Sequence, residues 1–136
     1  LFRKVEFLIE GDGPKQKLLK NSGWTGEKIK RMETENIIED GEELVVMIYS
    51  TYKAFYKMNT EGEFVLHRRN EPAVIYNHGP KEWHLNGCLH REDGPAMFYS
   101  SGHYLYYLNG IQFSKIDYYK IIAKKRIGKL WDSAPL

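Results

Sequence analysis

The sequence predicts a mainly β fold: an antiparallel meander of about three 23-residue β-hairpin repeats, followed by a C-terminal α-helix. Three observations carry this. One passage is written twice, 23 residues apart. Leu66-His67-Arg68, Pro72-Ala73, Tyr76, Gly79, Trp83 and Leu85-Asn86-Gly87 return as Leu89-His90-Arg91, Pro95-Ala96, Tyr99, Gly102, Tyr106 and Leu108-Asn109-Gly110. A fixed period in this range marks units that bury a core only against their neighbours. Aromatic residues make up 14% of the chain, and such side chains suit a pleated surface. The last segment then changes to a helical apolar spacing behind a capping serine.

The elements follow in order. Phe2 to Glu10 alternates at Val5, Phe7 and Ile9, which reads as a strand. Gly11-Asp12-Gly13-Pro14 ends it. Ser22 to Trp24 reads as a turn. Beyond it, Thr25 either caps a short helix toward Glu33, or Lys28 to Glu33 forms an edge strand with Ile29 and Arg31 on one side. The sparse apolar spacing favours the strand. Asp40-Gly41 is a turn signal before the strand Leu44 to Tyr49. Here a worn copy of the repeat emerges. Met47 to Ser50 aligns with Met97 to Ser100, and Tyr56 to Asn59 with Tyr106 to Asn109, with four extra residues in the loop Thr60 to Glu63.

Each good unit reads as a strand (73–77, 96–99), a turn at Gly79 or Gly102, a second strand (81–85, 103–108) and an Asn-Gly turn. Asn86-Gly87 and Asn109-Gly110 suit two-residue hairpins, whose central positions both want positive φ. The last unit is apolar on both faces, with Tyr104, Tyr106 and Leu108 on one and Leu105 and Tyr107 on the other. Ser114, with Asp117 three residues on, is an N-cap. Ile116, Tyr119, Ala123 and Ile127 form the helical stripe expected to cover the sheet, and Gly128 is the expected stop. The implied organisation is an N-terminal β segment (1–43), a repeat sheet (44–113), a capping helix (114–131) and a tail (132–136).

Composition excludes several classes. Hydrophobic residues are 42% of the chain, enough for a core. No apolar run approaches the ~20 residues that span a bilayer, and no signal peptide is visible. Cys88 is the single cysteine, so neither an internal disulfide nor a multi-cysteine zinc site is expected. An intracellular setting follows as the expectation, whether host cytoplasm, nucleus or virion. The net charge of +2 is uneven: residues 114–136 carry 6 basic and 2 acidic groups, leaving 14 and 16 for the rest.

The chemistry-bearing residues do not assemble into a catalytic pattern. His67 and His90 hold equivalent repeat positions, which points to a shared structural role such as an imidazole bonded to a turn backbone. His78, His84 and His103 lack metal-ligand spacing, and no phosphate-binding glycine fingerprint occurs. Asp93 and Arg91 suggest an ion pair across a turn. No catalytic, metal or cofactor residue is expected, and the chain does not read as an enzyme. The expected protein-binding residues are Trp83, Tyr104 and Tyr106, because such side chains anchor interfaces. Lys120, Lys124, Lys125, Arg126 and Lys129 are the candidates for an anionic surface, either nucleic acid or lipid. An edge strand offers a route to self-association.

The run Leu89-His90-Arg91-Glu92-Asp93-Gly94-Pro95-Ala96, followed by Gly102 and an Asn-Gly turn, resembles the tandem repeat of proteins from large DNA viruses, phages and some bacteria. It is similar to MORN-type repeats, which share the period and the hairpin unit. The resemblance covers about residues 44–113. It departs at Asn70-Glu71, at Tyr106 in place of tryptophan, and at Asp40-Gly41 in place of His-Arg. What it implies is a fold, a viral or phage source, and a role in protein–protein contact or scaffolding, with links to membrane lipids.

Overall fold

The computed structural model describes residues 31–132. The expected strand Phe2–Glu10 and the alternatives at Thr25 and Lys28–Lys30 lie outside them. The described chain is an antiparallel meander closed by one helix. β1 (Arg31–Glu39) and β2 (Glu42–Tyr49) form the first hairpin. Its two-residue turn places Asp40 at φ 52° and Gly41 at φ 78°, the primed geometry that matches strand twist. Glu43 lies inside β2, and β1 joins the same sheet as the later strands.

β2 pairs with β3 (Tyr52–Met58). The far edge of β3 is covered twice, by β4 (Phe64–Leu66) on its lower half and β5 (Val74–Tyr76) on its upper half. The pattern then repeats. β5 pairs with β6 (Lys81–Glu82), and β7 (His84–Leu85) with β8 (Cys88–Leu89). β9 (Met97–Phe98) bridges β6 and β10 (Tyr104–Leu108), and β11 (Ile111–Phe113) closes the edge. Asn86 and Asn109, at φ 52° and 50°, and their glycines make the expected hairpin turns.

Between the short strands of each unit, the His-Arg to Pro-Ala segment bulges around one aromatic residue. Phe55 donates its N–H to the Ala73 carbonyl and accepts from His67 N–H. Trp83 does the same with Ala96 and His90. Phe55, not Tyr56, is therefore the counterpart of Trp83 and Tyr106. The expected alignment slips by one because the turn joining β2 to β3 is one residue shorter than those in the later units. A gap in a turn leaves no trace in a strand's apolar pattern.

Both faces of β2 are buried from Leu44 through Met47. One face carries Leu44, Val46 and Phe55; the other carries Val45, Met47, Tyr49, Tyr52, Tyr56 and Val74. Tyr49 and Tyr52 stack at 4.5 Å between centroids. Each large buried side chain contributes about 1.5–3 kcal/mol.

α1 (Lys115–Asp132) begins as expected: Ser114 Oγ accepts the Asp117 N–H at 3.1 Å. It does not stop at Gly128 but runs to Asp132, because a lone glycine inside a helix costs only about 1 kcal/mol. The expected stripe is also on the wrong side. Tyr118 and Ile122, with Ile121, pack against Leu108, Tyr106 and Phe113. Ile116, Ala123 and Ile127 face away from the sheet, and Tyr119, though exposed, keeps its ring at 5.7 Å from Tyr106.

Candidate interaction surface

The repeated residues build the scaffold first. The His67 Nδ1 lies 2.9 Å from the Asn86 backbone nitrogen, and the His90 Nδ1 lies 2.9 Å from that of Asn109. A backbone N–H can only donate, so each Nδ1 must accept and each ring carries its proton on Nε2. That proton meets a carboxylate: Glu42 at 3.1 Å from His67, and Glu92 at 3.6 Å from His90. Burial holds the His67 pKa below its ordinary value, and outweighs the opposing pull of Glu42.

The arginines repeat their roles too. The Arg68 guanidinium lies 3.9 Å over the Phe55 ring, and that of Arg91 3.9 Å over Trp83. Each donates Nη1 to the carbonyl of the proline four residues on, Pro72 or Pro95. The expected Arg91–Asp93 pair does not form; Asp93 meets Arg126 at 3.6 Å. Arg68 also makes a forked bond to Glu39, whose carboxyl it holds below the usual range. Arg69 pairs with Glu42. The β1–β2 hairpin thereby clamps the first bulge.

One arrangement was not foreseen from the sequence. Glu82 and His84, two positions apart and so on one face, are both buried and 3.0 Å apart. The Tyr76 hydroxyl donates to the other Glu82 oxygen at 2.9 Å. The period of two was the available signal. Among the described residues, no group of three or more His, Cys, Asp or Glu side chains could hold a metal ion, and no helix is long and apolar enough to cross a membrane.

The expected protein-binding residues separate into scaffold and surface. Trp83 is buried between Arg91 and the edge of Phe98, at 5.2 Å from the latter. Tyr106 is half-buried and holds α1, with Tyr118 at 4.9 Å and Tyr119 at 5.7 Å. Tyr104 alone of the three is open, 54% exposed, with its ring against Phe98. A shallow groove lined by Tyr104, Tyr106, Phe113 and Ser114 runs at the foot of α1.

The basic residues separate likewise. Lys125 bonds to Glu92 at 2.8 Å and Arg126 faces Asp93, so these two are turned toward the acidic bulge of the last unit. Lys120, Lys124 and Lys129 are exposed. Beside them lie the outward apolar residues, Ile116 at 69%, Ile127 at 55% and Leu130 at 71% exposure. That stripe was legible as a pattern, but its direction was not.

Tyr118 fastens α1 to the array. Its hydroxyl donates to the Arg91 carbonyl at 2.5 Å and accepts the Gly94 N–H at 3.1 Å. Burial pushes its pKa up, against the lowering influence of the Gly94 bond, so the hydroxyl keeps the proton it donates. Compared with protein-family models, curated proteins and solved structures, the chain has no match.

Proposed function

We propose that this chain is a non-enzymatic, MORN-like repeat module that acts as a protein–protein interaction or scaffold element. The observation that carries this reading is the concentration of open apolar and aromatic side chains at the C-terminal end. Tyr104, Ile116, Tyr119, Ile127 and Leu130 are all exposed there. Contiguous exposed apolar surface of this kind marks partner sites. The engagement of His67 and His90 in turn bonds supports architectural roles for the residues best suited to chemistry. The His-Arg-x-Asp-Gly-Pro-Ala run supports a source among tandem-repeat proteins of large DNA viruses or phages, and an intracellular setting.

A second reading, binding to nucleic acid or anionic lipid through α1, draws on Lys120, Lys124 and Lys129. The commitment of Lys125 and Arg126 to Glu92 and Asp93 weakens it. Affinity capture with mass spectrometry tests the main reading, comparing the native chain with a Tyr104→Ala, Ile127→Asp double variant. A specific partner lost from the variant supports it. Co-purification of nucleic acid or lipid alone, lost on raising salt, favours the second reading.

A further inference from the structure

We infer that the outer face of α1, with the groove at its foot, docks an amphipathic helix of a partner protein whose apolar stripe is bordered by acidic side chains. This rests on the interaction reading above and names the chemistry of the partner.

The shape comes first. Ile116, Tyr119, Ala123, Ile127 and Leu130 are three or four residues apart, so they form one stripe along the helix. Such a stripe is the complement of another helix's apolar face. At its start the Tyr119 ring lies 5.7 Å from Tyr106, which lines the groove with Tyr104 and Phe113. Stripe and groove are therefore continuous, and the groove offers a recess for one anchoring side chain.

The charge then selects the occupant. Lys120 and Lys124 border the stripe and are exposed, and no ion pair engages them among the described residues. The acidic residues of α1 are Asp117 in its first turn, three residues from Lys120, and Asp132 at its end, so the two lysines leave this border with a net positive charge. A partner with acidic flanks is complementary to this border. An anionic membrane fits less well. Lipid recognition draws on clusters of about 4–8 basic residues, whereas Lys125 and Arg126 are turned to Glu92 and Asp93. A second copy fits less well again. In an antiparallel pair the same border faces itself, setting Lys120 and Lys124 against their twins. In a parallel pair it faces the border that carries Arg126.

The test uses the full chain and a displayed library of helical peptides about as long as α1. Each has a fixed apolar stripe, with its flanks randomised among Glu, Gln and Lys. Enrichment of Glu at the flanks is expected. The selected peptide should weaken about tenfold or more against Lys120→Glu/Lys124→Glu and against Ile127→Asp. These positions are exposed, so circular dichroism of the variants should be unchanged. Flanks without charge bias, enrichment of Lys, or an affinity for either variant as high as for the native chain overturn the inference. Two further results also overturn it: Ile127-dependent sedimentation with phosphatidylserine vesicles, and an Ile127-dependent dimer in ultracentrifugation. If affinity capture loses a protein partner in the patch variant but the library shows no acidic preference, the interaction reading stands and this inference fails.

Discussion

His67 and Asn86 are joined through one hydrogen bond, from the Asn86 backbone N–H to the imidazole Nδ1, at 2.9 Å. The bond ties the start of a bulge to the turn that ends the next strand. His90 and Asn109 repeat it at the same length. The repeated histidine is thus an acceptor built into the array, and it works only while neutral.

Stability should therefore fall on acidification in two windows. His67 has a depressed pKa in the folded state, so its contribution is complete above the ordinary value of 6.5 and is lost as pH falls below it. Glu39, Glu42 and Glu92 are also lowered, from 4.5, so their contribution is lost below that pH. Urea unfolding across this range measures both, and His67→Gln should abolish the upper window while the part of the lower one that Glu39 and Glu92 supply persists. An unchanged upper window in that variant would refute the role of His67.

Arg91→Lys should cost nearly as much as Arg91→Ala. The planar guanidinium lies over Trp83 while it reaches the Pro95 carbonyl, and an ammonium cannot do both. The loss should be about 2 kcal/mol, from the cation–π contact and one hydrogen bond. Denaturant titration of both variants reads it; full rescue by lysine would show that charge alone matters.

Tyr118→Phe should destabilise by about 1–3 kcal/mol, because it strands the Arg91 carbonyl and the Gly94 N–H. Tyr104→Phe, at a position 54% exposed, should change stability by less than about 0.5 kcal/mol. Amide exchange at Gly94 should accelerate in the first variant and not in the second.

Gly87→Ala should be worse than Gly102→Ala, although the two glycines share nearly the same φ, 87° and 88°. The backbone strain of about 1–2 kcal/mol is common to both. At Gly87 an added Cβ would sit 3.3 Å from the Val65 Cβ, while at Gly102 it would meet open space. Overpacking adds about 1 kcal/mol or more. Equal thermal midpoints for the two variants would contradict this.

The turns were the most legible part of the chain. Asp40-Gly41, Asn86-Gly87 and Asn109-Gly110 encode their own backbone geometry, and each folds accordingly. The architectural role of His67 and His90 was readable from repetition alone. The helix start was readable from Ser114. Orientation was less so. α1 carries two apolar faces, Tyr118 with Ile122 and Ile116 with Ile127, and periodicity cannot say which one meets the sheet. For the same reason Trp83, a good interface residue by type, proved to be the floor under Arg91. Long-range pairings such as Lys125 with Glu92 leave no local signal.

The way α1 grips the last bulge has a consequence for the growth of the protein over generations. Tyr118 touches Arg91 and Gly94, residues that belong to the duplicated passage. Phe113 pairs with Tyr106 where an inner unit would have its histidine bonded to the aromatic residue. A further copy spliced in before Phe113 would hand the helix the same backbone groups it already holds. Such a protein can lengthen by gene duplication without redesigning its end, as a ladder gains rungs below a fixed top.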